Sequence, residues 1–174
     1  MLALLALALT QLPAERPAPR LALDVANGKL VGRRLIHVED LVGPKARAVA
    51  GTPPARAVLV LATALDECAI CDDHFARLLA LHEKVALRGG VVVALVLATR
   101  ETVKATRERL SAREEPYILA LDSFGLARSR LGLLGPGSLS VLRSDGSMLA
   151  GFVGESGFDA AIAVFERELE EERP

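Results

Sequence analysis

Tryptophan is absent from this chain, tyrosine occurs once and phenylalanine five times. A core with so few rings has to be built from Leu, Val, Ile and Ala. Excess charge is missing too. The 21 Lys and Arg residues against 22 Asp and Glu leave a net charge of −1, which removes the electrostatic footprint of a nucleic-acid binder. Cysteine is scarce, with two in 174 residues. A chain of this length buries a full core without disulfide staples, so the pair is not needed to hold a small fold together. No internal repeat is visible.

What is present fits one ordinary globular domain with a short extension: 51% of residues are hydrophobic and 25% charged. The first ten residues, Met1 to Thr10, form an apolar block. It is too short to span a bilayer comfortably, and a stretch rich in Pro and Ala follows it. The block and its exit read as an export signal or anchor, although no Lys or Arg precedes it. Residues 1–20 are therefore expected to be a signal-like segment with its linker, and residues 31–174 the folded domain. An exported location, periplasmic or anchored facing that side, follows from the same reading; a cytoplasmic chain with an ordinary N-terminal helix is the alternative.

The region from residue 21 to 56 offers only short apolar pieces, a turn at Leu41–Pro44 and a loop rich in Ala, Gly and Pro. Then regular alternation begins. Ala57–Thr63, Val91–Leu97 and Tyr117–Leu121 are apolar runs suited to strands buried on both faces. Between them lie helix patterns at Cys68–Leu87, closed by Gly89 and Gly90, and from Thr99 to Arg113, with Thr99 as cap. Asp122 can cap a short helix through Arg130. Leu139–Leu142 and Met148–Val153 flank the hairpin signal Ser144-Asp145-Gly146 and must run antiparallel. Ser156 to Asp159 fits a capping box that opens a terminal helix. The order predicts an α/β domain: a mixed, mainly parallel central sheet flanked by helices.

Both cysteines stand together as Cys68-Ala69-Ile70-Cys71, directly after the first of these strands. Residues three apart on a helix lie one turn apart, so a dithiol at a helix start can cycle with a disulfide. Cys68 is expected to attack, its thiolate favoured by the positive end of the helix dipole, and Cys71 to resolve. Such exchange moves two electrons with no cofactor. Asp66 and Glu67 before the pair, and Asp72 and Asp73 after it, disfavour the thiolate. The pair is expected to be a reductant or slow exchanger rather than a strong oxidant. Two other readings stay open. The pair can be inert in a domain kept for binding, or Cys68, Cys71 and His74 can supply copper or zinc ligands, for which no fourth ligand is evident. Residue 72 is Asp, so the haem-attachment pattern is absent. Arg100, Lys104 and Arg107 form a stripe that an acidic partner could meet. Interleaved Glu101 and Glu108 make a solvated helix face the better reading.

These landmarks, taken in order, resemble the thioredoxin superfamily, and within it the redoxin-type proteins that include the disulfide reductases of cytochrome c maturation. The similarity runs from about Val31 to Leu169. It rests on Leu41-Val-Gly43, the Cys68/Cys71 pair, an extra helix–strand insertion from Val91 to Asp122, and Leu131–Gly135 before the final hairpin. The resemblance implies a thioredoxin fold acting on protein thiols and disulfides. It also implies a reducing partner, with a membrane electron carrier as the expected class, and a substrate-binding segment at Gly135, Pro136, Gly137 and Ser138. Three positions depart from the family pattern. Glu67 replaces an aromatic residue, Ala62 a buried acid, and the register of the family's cis-proline falls on Gly137, one residue after Pro136.

Overall fold

The computed structural model describes residues 14–43, 55–65 and 71–170. In chain order the elements are β1 (Ala14–Pro17), β2 (Ala22–Val25), α1 (Gly28–Val31), β3 (Leu35–His37), α2 (Val38–Leu41), β4 (Ala57–Thr63) and α3 (Cys71–Val85). They continue with β5 (Gly90–Leu97), α4 (Val103–Ser111), β6 (Ile118–Asp122), α5 (Leu126–Arg130), β7 (Ser138–Arg143), β8 (Ser147–Val153) and α6 (Gly154–Glu170). The strands form one sheet of eight in the order β1-β8-β7-β4-β5-β6-β2-β3.

The three apolar runs sit at its centre. Every residue of β4 and β6 is buried, as is all of β5 up to Val96. Side chains alternate across the sheet. Val58, Val60 and Ala62 face one core with Val93, Leu95, Ala127 of α5 and Leu131 just after it. Leu59 and Leu61 face the other with Val92, Ala94 and residues of α3, α4 and α6. The first core is wholly aliphatic, while the second gathers the rings of Phe75, Tyr117, Phe152, Phe158 and Phe165 among its aliphatic side chains.

The sheet is mixed, and parallel pairing is confined to β4–β5 and β5–β6. The other five neighbour pairs are antiparallel, so the expectation of a mainly parallel sheet needs correcting. The difference comes from edge strands that the sequence hides. Ala14–Pro17 falls inside the stretch read as a linker, yet it pairs with β8 from Ala14↔Ala150 to Pro17↔Ser147. On the far edge β2 pairs with β6, and β3 with β2. The terminal helix starts at Gly154, two residues before the capping box proposed at Ser156.

Asp122 acts on α5 as expected, whereas α4 starts at Val103 with Thr102 in the cap position and Thr99 one turn ahead of it. Thr99 and Thr102 exchange bonds, each hydroxyl accepting the other's backbone N–H (3.0 and 3.3 Å), a reciprocal box that leads into α4. The Asp122 carboxylate accepts the N–H of Ala127 (3.4 Å) and of Arg128 (2.8 Å) in the first turn of α5. Gly146, at φ 85°, closes the β7–β8 hairpin with its N–H on Arg143 O at 3.0 Å.

Candidate functional site

Strand β4 delivers the chain to the edge where the parallel strands end. After Thr63 it passes Ala64 and Leu65 and returns as α3, which opens at Cys71. Cys68, Asp66 and Glu67 lie outside the described residues. The structure therefore places the approach and the exit of the cysteine segment, not the attacking position itself.

Helix α3 is fixed firmly. Phe75, Leu78, Leu81 and Val85 are buried in the core beside β4 and β5. Along its outer side Arg77 pairs with Glu155 (2.7 Å) and Asp159 (3.1 Å) of α6, and Lys84 with Glu166 (2.6 Å). Partners rise in number together, so α3 and α6 run side by side in the same direction. The Arg77 guanidinium also lies 3.6 Å from the Phe158 ring centre. Exposed pairs of this kind contribute roughly 0–1 kcal/mol each; their service here is to hold the register of the helix that begins at Cys71.

One turn after Cys71, His74 is buried, stacked on Phe158 at 6.2 Å between ring centres, and its Nδ1 has no hydrogen-bond partner. Burial lowers its pKa below the ordinary 6.5; Arg77 adds to that effect, and Asp73 and Glu155 oppose it. The folded chain therefore binds this proton more weakly than the unfolded chain does. The stability involved is fully present above 6.5 and is lost as pH falls through the depressed folded value. His82, also lowered by burial, acts with the same sign. His74→Gln is expected to flatten the decline of the urea midpoint between about pH 7 and pH 5. Parallel declines in the two proteins would remove His74 from the account.

The predicted substrate segment is a tight turn beside the end of β4. Gly137, at φ 81°, donates its N–H to Ala62 O at 2.8 Å. The Ser138 N–H (3.1 Å) and Oγ (2.5 Å) both bond Gly135 O, and the Gly135 N–H donates to Ser138 Oγ at 3.1 Å. Pro136 followed by a glycine at positive φ, inside an i to i+3 bond, is the pattern of a type II turn. No peptide bond among the described residues is cis, the one before Pro136 included. These bonds engage both backbone groups of Gly135 and the N–H groups of Gly137 and Ser138. The carbonyls of Pro136 and Gly137 are the backbone acceptors of the turn that these bonds leave unused. Ala62, where the family pattern has a buried acid, is the residue the turn rests on.

A feature that sequence reasoning missed adjoins this edge. A cleft of about 680 Å³ opens beyond the ends of β4, β5 and β6, lined among others by Leu65, Leu97, Arg100, Asp122, Phe124 and Arg128. Its residues come from three separate stretches of the chain, each a strand end or the segment that follows it, so no local motif announces it. Of the basic residues Arg100, Lys104 and Arg107, read mainly as a solvated helix face, Arg100 precedes α4 and Arg107 is paired with Asp24 of β2. Among the described residues no group of three His, Cys, Asp or Glu could hold a metal ion, and no helix is long and apolar enough to cross a membrane.

No protein-family model matches the sequence, and no curated protein matches it either. Solved structures do. A candidate thioredoxin from Neisseria meningitidis is similar with a TM-score of 0.65 at 15% identity, over 89% of this chain and 91% of that one. A candidate thiol:disulfide interchange protein DsbE from Chlorobium tepidum gives 0.60 at 19%, over 91% and 96%. A candidate thiol-disulfide oxidoreductase from Bacteroides vulgatus gives 0.60 at 17%, over 89% and 90%. At these identities the likeness concerns the fold: this chain has a thioredoxin-like fold.

Proposed function

From that fold, we propose that the chain is a thiol–disulfide oxidoreductase acting on protein disulfides through Cys68 and Cys71. The observation that carries the reading is the position of the only two cysteines. In the sequence they follow a fully buried central strand, and Cys71 opens helix α3, within a fold shared with proteins described as a thiol:disulfide interchange protein and a thiol-disulfide oxidoreductase.

In the proposed reaction the Cys68 thiolate attacks one sulfur of a substrate disulfide. The substrate bond breaks, a mixed disulfide forms, and the other substrate sulfur leaves as a thiolate that takes a proton. Cys71 then attacks Cys68, forming the internal disulfide and releasing the second substrate thiol. The substrate gains two electrons and the protein loses two. A dithiol partner protein must return them; a membrane-bound carrier fits an exported location, where glutathione and thioredoxin do not serve. Asp66 and Glu67 tune Cys68 against the thiolate. The turn Gly135-Pro136-Gly137-Ser138 holds the substrate backbone, its free acceptors being the carbonyls of Pro136 and Gly137.

Insulin reduction with dithiothreitol as electron source tests this. The wild-type chain is expected to accelerate precipitation of the insulin B chain, and Cys68→Ser to fall to the uncatalysed rate. Equal rates for the two would leave a binding module without exchange chemistry.

A further inference from the structure

The cleft beyond β4, β5 and β6 combines charge, apolar surface and position in a way the exchange chemistry alone does not require. Arg100 and Arg128 reach it from different segments, the first from the loop before α4 and the second from helix α5. Both are exposed, and neither makes an ion pair with any described residue. The single carboxylate in the lining, Asp122, is buried and bonds the N–H groups of Ala127 and Arg128. Its oxygens are thus turned to the helix cap; the exposed Glu101 carboxylate is engaged with Thr99 of the lining, and Arg100 and Arg128 are the charges at the rim left without an ion-pair partner among the described residues. Between the arginines lie Leu65, Leu97 and Ala98, all only partly buried. At the mouth stands Phe124, 75% exposed, with the Arg100 guanidinium 5.5 Å from its ring centre. An exposed ring under an unpaired cation is a surface awaiting cover.

Position gives the surface its use. Leu65 precedes Cys68 by three residues, a length of chain that spans at most about 11 Å. A peptide lying in the cleft is within reach of the first thiol.

We infer that this cleft selects protein substrates whose disulfide is flanked by an acidic segment carrying an apolar side chain. The carboxylates meet Arg100 and Arg128, and the apolar group lies on Leu65 and Leu97 against Phe124. This rests on the proposed exchange activity for its consequence, but the recognition itself does not. Two exposed ion pairs also explain why selection would be graded rather than absolute.

The test uses disulfide-linked peptides of one sequence, Leu next to the cysteine, followed by two Glu or by two Gln. The full chain is expected to reduce the Glu peptide with a kcat/KM about fivefold above the Gln peptide, the size two exposed pairs provide. The ratio is expected to fall to about one in Arg100→Gln/Arg128→Gln, and in wild type at about 1 M salt, where the screening length is about 3 Å. A wild-type ratio of one, or a ratio that survives either treatment, overturns the inference. The salt arm stands even if the double variant does not fold. Binding of an S-methylated Glu peptide, followed by fluorescence anisotropy, reads the cleft without any exchange. If no disulfide is reduced yet this peptide binds and the Gln form does not, the redox reading fails and the cleft stands. Tighter capture of an oligonucleotide of equal charge would assign the surface to another ligand.

Discussion

Cys71→Ser is expected to stop turnover while leaving the first chemical step intact. In the proposed reaction, Cys71 opens the mixed disulfide on Cys68 from within the same chain. Oriented intramolecular groups reach effective concentrations of about 10⁵ M or more, far above any thiol added to solution. Removing the resolving sulfur hands the step to external thiol, and steady-state insulin reduction should drop by at least about a thousandfold. The covalent intermediate should then accumulate. Mixing the reduced variant with a disulfide peptide is expected to give a one-to-one adduct by intact mass, lost on adding dithiothreitol. Cys68→Ser should give none, because in the proposed reaction Cys68 alone meets the substrate. Adducts on Cys68→Ser with none on Cys71→Ser would exchange the two roles. Adducts on neither, with both variants as active as wild type, would place the activity elsewhere.

The adduct also bears on the acidic neighbourhood. Asp66, Glu67, Asp72 and Asp73 all disfavour a thiolate between them. The rate of adduct formation should therefore still be climbing with pH in the neutral range. A strong oxidant of this fold, with its thiolate already formed there, would be flat.

The middle and end of the chain could be read from sequence because their elements carry signals of their own. Runs of buried aliphatic residues at β4, β5 and β6 have no other good solution than a covered sheet. Gly89, Asp122 and Gly146 mark ends that the structure keeps. The first 43 residues could not be read that way. Strands β1, β2 and β3 have four, four and three residues, too few to show a period. They exist because an edge strand was there to pair with, which is a tertiary cause. Pro17 made β1 look like a linker, yet it closes a strand at the sheet's edge, where a missing N–H is tolerated. The candidate site divides in the same manner. Cysteines three apart after a strand are a local pattern; the cleft needs Leu65 and Arg100 from two loops and Arg128 from α5. The apparent stripe on α4 linked Arg100 with Arg107, and the fold separates them by giving Arg107 to Asp24.

Asn27 shows how far such a tertiary cause can go, and its replacement should carry the largest stability loss in the molecule outside the core. Pairing of β2 with β6 runs through Val25↔Ala120 and one further bond, Ala26 N–H to Leu119 O at 2.7 Å. There the backbone of β2 turns away into α1, and the Asn27 side chain continues the ladder in its place. Its amide donates to Tyr117 O (2.7 Å) and Glu115 O (3.1 Å), and its Oδ1 accepts the Leu119 N–H (3.0 Å). The residue is 3% exposed, so water cannot take over these roles. Asn27→Ala strands up to three backbone groups, at about 1–3 kcal/mol for each that stays buried. A loss of about 3–4 kcal/mol is expected by urea unfolding, a large share of the ~5–15 kcal/mol typical of a domain. Ser111→Ala removes the neighbouring bond to Ala26 O, which is only partly buried, and should cost about 1 kcal/mol. Asn27→Asp keeps the shape and the acceptor but turns two donors toward two carbonyls as oxygens, and should be no milder than Asn27→Ala. If Asn27→Ala costs no more than Ser111→Ala, the N-terminal strands are held to β6 by packing alone, and the side-chain rung is incidental.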